Sequence, residues 1–212
     1  MKKLFITALV FFASQQLFAQ VEITPYYGWL WTGSVPMYNG YPPYYSSQNA
    51  KVDDKANYGV RLGVKLPSLM VAEFEWNHTN TNFIYRDYDG NKQSIPVSAN
   101  YYLLGGMREL NEGEQLVPFG IFNIGLVNFK NTEDNYSLNM FTIGFGGGIK
   151  YFFNDQIGIR LQARLLAPMQ YGGISIGCGI GTGGGGCGTG VSTYSSLIQG
   201  DFTGGIVLKL GQ

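Results

Sequence analysis

The stretch 138–166 reads LNMFTIGFGGGIKYFFNDQIGIRLQARLL, and it limits what the chain can become. Two alternating runs meet at a short turn, Asn154-Asp155. In the first run Phe141, Ile143, Phe145, Ile149 and Tyr151 share one parity, and Thr142, Gly144, Gly146, Gly148 and Lys150 share the other. In the second, Ile157, Ile159, Leu161, Ala163 and Leu165 oppose Gly158, Arg160, Gln162 and Arg164. Period two marks strands. One face is greasy; the other carries small residues and charges and offers no apolar layer to bury. Such strands suit a soluble sheet with its polar face in water. They equally suit a membrane barrel, apolar toward lipid and polar toward its interior.

The N-terminus bears on the compartment. Lys2 and Lys3 precede an apolar stretch over 4–12, and Phe18-Ala19-Gln20 resembles a processing site. Residues 1–19 therefore read as a signal peptide, and 20–212 as one domain. Without the leader, 14 − 2 = 12 basic residues face 14 acidic ones, a net charge of −2 with His78 neutral, which gives no case for nucleic acid. No later run is long enough for a transmembrane helix. An exported chain of this kind can span a membrane only as a closed barrel.

Alternation extends over 21–31, 57–66, 69–77, 96–109, 115–129 and about 201–210, which with the opening pair makes eight strands. Short connections at 67–68, 111–114 and 154–155 alternate with longer, loop-like ones at 33–55, 79–94, 130–137 and 168–197. The expectation is an all-β fold: an eight-stranded antiparallel up-and-down barrel, with short periplasmic turns and long external loops. A basic residue facing lipid at the midplane costs roughly 2–4 kcal/mol. Arg61, Lys65, Arg108, Lys150, Arg160, Arg164 and Lys209 all carry the non-greasy parity, with Glu22, Glu73, Glu75 and Asp201. They are expected to fill the interior as an ion-pair network, because eight strands leave a lumen just wide enough for side chains. Glu73 or Glu75 is placed to pair with Arg61 from the next strand.

Other residues are read as follows. Cys178 and Cys187 lie in GCGIGTGGGGCGTG within the longest loop, where an oxidising compartment permits a disulfide. Two Cys without a nearby His make no zinc site, and the run lacks the Gly-Lys-Ser/Thr ending of a phosphate-binding loop. The only His, His78, reads as a membrane-interface residue, and no nucleophile–base arrangement surrounds it. Neither catalytic groups nor cofactors are expected. Tyr26, Tyr27, Trp29, Trp31, Tyr58, Trp76, Tyr101, Tyr151 and Phe152 are assigned to strand ends or lipid faces, where aromatic rings gather. Tyr38, Tyr41, Tyr44 and Tyr45 form either an external contact surface for protein or glycan, or packing that orders their loop.

YGVRLGVKLP at 58–67, VPFGIFNIGL at 117–126, FTIGFGGGIKYFFNDQIGIRLQAR at 141–164 and FTGGIVLKLG at 202–211 resemble small outer-membrane β-barrels with an OmpA-like or OmpX-like domain. The likeness is to the Bacteroidota-type outer membrane protein beta-barrel domain in particular. It implies location in the outer membrane of a Gram-negative envelope, contact with lipid, and a non-enzymatic role as a structural or accessory protein presenting loops to other envelope proteins or external glycan. A narrow or gated channel is the alternative it leaves open. A secreted lipocalin-like barrel is the alternative of fold.

Overall fold

The computed structural model describes residues 20–39, 46–66, 68–86, 91–111, 113–133, 137–181, 184–195 and 198–211; for 34–39, 46–50, 85–86, 170–181 and 184–195 it describes the backbone path alone. The expected leader, 1–19, and Tyr41, Tyr44 and Tyr45 lie outside the described residues.

Among the described residues eleven strands form one sheet: β1 (Val21–Thr32), β2 (Ser34–Asn39), β3 (Ser46–Val52), β4 (Lys55–Leu66), β5 (Met70–Arg86), β6 (Lys92–Glu109), β7 (Leu116–Asn131), β8 (Ser137–Phe152), β9 (Ile157–Gly181), β10 (Gly184–Ser195) and β11 (Gln199–Leu210). Eight of them make the wall, in the order β1-β4-β5-β6-β7-β8-β9-β11, each antiparallel to its neighbours. The wall closes where β1 pairs β11, Val21 opposite Leu210 and Thr32 opposite Gln199. Closure leaves no open edge in lipid, where each unpaired backbone group costs several kcal/mol.

The register fixes the barrel's geometry. A row followed from Val21 through Val64, Ala72, Gly106, Phe122, Phe145, Leu165 and Gly200 returns to β1 at Trp31, 31 − 21 = 10 residues along. Eight strands with a shear of ten tilt by roughly 35–45°. Each row therefore climbs toward the long-hairpin end as it passes around the wall.

Local chemistry sets the short turns. Ser68 (φ 65°) and Leu69 (φ 63°) take the left-handed conformations of a primed hairpin turn, whose twist matches the flanking strands. At the last short turn Asn154 Oδ1 accepts the N–H groups of Gln156 (2.9 Å) and Ile157 (2.7 Å). At the other end the expected loops 33–55, 79–94 and 168–197 are largely strand. β2 and β3 form a hairpin whose β3 joins β5 at Lys51–Ile84 and Val52–Phe83. β5 and β6 stay paired out to Arg86–Lys92, and β9 and β10 pair from Met169–Ser195 to Gly181–Gly184. Polar and glycine-rich composition conceals strands here, because a hairpin standing in water needs no apolar face.

The outer wall is greasy. Leu62, Phe74, Leu104, Phe122, Leu126, Phe145, Leu161, Leu165, Ile206 and Leu208 all face outward and are exposed. Tyr27, Tyr58 and His78 share one climbing row, with the Tyr58 ring 5.2 Å from His78 and 6.2 Å from Trp76. The same row continues into Asn100, Asn128 and Asn139. Passing from aromatic to amide, it leaves the membrane through the interfacial belt. Tyr26 and Tyr101, expected at strand ends or on lipid faces, instead stand within their strands, point inward and are buried; Phe152 stands at the end of β8, as expected, and points inward.

Inward glycines are places where a neighbour's side chain crosses. A Cβ on Gly59 would stand 2.6 Å from Tyr26 Oη, and one on Gly146 would stand 2.5 Å from Arg164 Cβ. Gly120, on the outer wall, has nothing within 4 Å. Gly59→Val should therefore cost about 1–3 kcal/mol through overpacking, while Gly120→Val changes little. Urea unfolding midpoints of the folded protein in detergent should separate the two.

Candidate functional site

The interior of the wall is where the sequence concentrates its charge. Arg61, Lys150, Arg160 and Arg164 are buried there with Glu22, Glu73, Glu75, Glu109 and Asp201. Four cations thus meet five carboxylates. Lys65, whose Nζ lies 4.0 Å from Glu109 Oε2, brings the balance to five and five.

The upper cluster centres on Glu75. Its Oε1 accepts from Arg164 Nη2 (2.5 Å) and Tyr26 Oη (2.5 Å), and its Oε2 accepts from Arg164 Nη1 (2.6 Å) and Arg61 Nε (3.2 Å). Arg164 Nε also donates to Asp201 Oδ2 (2.6 Å), while Asn57 Nδ2 donates to Asp201 Oδ1 (2.7 Å). The fork of one guanidinium thereby bridges two carboxylates on different strands. Arg61 Nη2 reaches Thr203 Oγ1 at 3.0 Å, and its guanidinium lies 3.7 Å from the centre of the Tyr26 ring. Arg160 holds Glu73 through both terminal nitrogens and donates to Gln162 Oε1 at 2.5 Å.

The lower cluster lies toward the short turns. Lys150 Nζ donates to Glu22 Oε2 (2.5 Å) and Glu109 Oε1 (2.8 Å). Lys209 Nζ sits 3.5 Å above the Phe152 ring, and with Lys65 and Glu109 it lines a 190 Å³ mouth at the turn end. Antiparallel register explains the partners within the upper cluster: Arg61 stands opposite Glu75 on β5, and Arg164 opposite Asp201 on β11.

The rest of the interior mixes hydrocarbon with uncharged polar side chains such as Asn77, Asn123 and Thr142. Leu30, Ala99, Tyr101, Leu103, Val127, Met140 and Leu166 pack toward the long-hairpin end. Val71, Met107, Phe119 and Ile121 form a second group. Tyr101 carries its hydroxyl to Gln199 Oε1 at 2.6 Å. Charges crowd β1, β4, β5, β9 and β11, whereas β6 and β7 supply most of the hydrocarbon. The sequence pattern does not announce this apolar filling, because on β6 and β7 greasy residues stand on both faces.

Of the expected network residues, the structure brings together Arg61, Lys65, Glu73, Glu75, Lys150, Arg160, Arg164 and Asp201. Lys209 joins at the mouth, over an aromatic ring. Arg108 is the exception: it points outward and is exposed, while Met107 and Glu109 point in. On β6 the greasier parity is the inner one. The alternation misleads there because Arg108 stands one residue from the strand's end, where lipid-facing arginine costs only about 0–1 kcal/mol. Glu109, its neighbour, is the network member that the same misreading hides. Among the described residues no group of three His, Cys, Asp or Glu is placed to hold a metal. Cys178 and Cys187 stand opposite each other in the β9–β10 register. Their side chains, and that of Tyr38, lie outside those described.

The family model described as the outer membrane protein beta-barrel domain matches residues 5–195. The chain belongs to this family. Its fold is similar to that of Neisserial surface protein A, at a TM-score of 0.55 and 9% identity, covering 90% of this chain and 97% of that one. It is similar again to the outer membrane protein AlkL in lipid bilayers, at a TM-score of 0.58 and 9% identity, covering 93% and 92%. No curated protein matches it by sequence. The protein is a multi-pass β-barrel of the outer membrane.

Removing one member of a buried ion pair leaves the other charge uncompensated, at about 3–5 kcal/mol. Glu75→Gln takes away the carboxylate that Arg164 and Arg61 share, but Asp201 still holds Arg164 and Glu73 stands 3.9 Å from Arg61; urea unfolding should therefore show a loss of about 3 kcal/mol, the lower end of that range. Lys65→Gln, at the wet mouth, should cost less than about 1 kcal/mol.

Proposed function

We propose that this barrel is a non-conducting structural or accessory protein of the envelope, of the Bacteroidota type, which presents its external hairpins to other envelope proteins or glycans. The observation that carries this reading is the filled interior. Paired charges occupy one side of the lumen, hydrocarbon the other, and neighbouring side chains cross its inward glycines. The ion pairs serve as filling that neutralises itself. Single-channel recording in planar bilayers should give no discrete conductance steps from the wild-type protein; reproducible steps would sink the reading in favour of a gated channel.

The signal peptide over 1–19 belongs to the same proposal, as does a Cys178–Cys187 disulfide. Directly opposed positions in a hairpin bring Cα atoms within disulfide range. Such a bond would stiffen a hairpin that carries no charge between Arg164 and Asp201. Extracted with a mass-tagged alkylating reagent, the protein should take up no tag until it is reduced. Two titratable thiols before reduction would remove the clamp and leave the barrel assignment standing.

A further inference from the structure

Arg108 is an outward charge near the end of β6, beside Met107 and Glu109, which both point inward. Among the described residues its side chain has no partner. A hydrogen-bonded row leads away from it: Arg108 opposite Gly120, Gly120 opposite Gly147, Gly147 opposite Ala163. These three neighbours present almost no side chain, and the space before Gly120 is open. Larger residues stand on the adjoining outward positions of the same strands, Phe122, Phe145, Ile149, Leu161 and Leu165. The row is thus a furrow about 14 Å long, three interstrand spacings. Because rows climb, it rises from the turn end toward the middle of the membrane.

At Ala163 the furrow opens into an apolar cleft of 360 Å³ on the outer wall, bounded by Trp31, Phe145, Leu165, Gly200 and Phe202. A cation at the level of the periplasmic leaflet, a side-chain-free track and an apolar cleft above it are therefore continuous. We propose that this face is a phospholipid-binding site, occupied by one phosphoglyceride of the periplasmic leaflet. Its phosphate is held by the Arg108 guanidinium, and one acyl chain lies along Gly120 and Gly147 into the cleft at Ala163. The charge complementarity is specific, since the planar guanidinium offers paired donors to phosphate oxygens. The geometry also accounts for an arginine outside the wall, where the interfacial position makes it cheap and the phosphate gives it a partner.

The test uses the folded full-length mature chain in nanodiscs containing equal amounts of phosphatidylglycerol and diacylglycerol with identical acyl chains, released for native mass spectrometry. The wild-type protein should retain one phosphatidylglycerol and little diacylglycerol. Arg108→Gln should lower that retention about tenfold, the worth of a charge-assisted hydrogen bond, and Arg108→Lys should restore part of it. Gly120→Phe, which fills the furrow at a position with room for it, should lower retention with Arg108 intact. Heat-modifiable mobility verifies that each variant is folded. Equal retention of the two lipids, no retained lipid, or variants that retain as much as wild type would each overturn the proposal. The comparison of lipids on the wild-type protein decides the matter even where a variant does not fold.

Discussion

Charge neutralisation inside a closed wall is the condition on which the rest of this structure depends. Taking an isolated ion from water into a medium of low dielectric costs several kcal/mol even after relaxation. Nine charged side chains are buried within this barrel. They are tolerable only because each lies against an opposite charge, often one brought from a distant part of the chain: Arg164 against Glu75, Lys150 against Glu22. The pairs require strands that are far apart in sequence to face one another, so the network and the closed topology demand each other. The packing follows from the same condition. Long charged side chains need room, and the inward glycines of β4 and β8 provide it.

This arrangement divides the barrel lengthwise rather than into a polar core with an apolar shell. One side of the lumen is salt and hydrogen bonds; the other is aliphatic and aromatic. A guanidinium such as Arg160 can belong to both, gripping Glu73 while its plane lies 4.6 Å from the Phe119 ring. The hydrocarbon keeps water from competing for the ion pairs, and the ion pairs satisfy what a purely apolar lumen could not hold.

Much of the wall was legible in the sequence. Alternation in β4, β8, β9 and β11 is strong enough to assign both faces residue by residue, and the even strand count with alternating connections implies closure. Alternation misleads where the lumen itself is lined with hydrocarbon. On β6 the greasier parity, with Ala99, Tyr101, Leu103 and Met107, turns into the lumen, so equating the greasy face with lipid puts Arg108 on the wrong side. The external hairpins were hidden for another reason: strands in water need no greasy face, so composition alone suggests loop. Polar partners such as Asn57, Gln162 and Thr203 carry no signal of their own. They become members of the network only when the register puts them beside Asp201, Arg160 and Arg61.

The seam between β1 and β11 has a kinetic consequence. It joins the first residues of the wall to the last, Val21 to Leu210. No partly made chain can close it, and until β11 arrives the lone edges of β1 and β9 stay open to any passing strand. Contacts of such long sequence separation are slow to form. The barrel must therefore wait, nearly whole and unclosed, for its twelve-residue closing strand, which makes β11 the piece that commits the wall to its membrane.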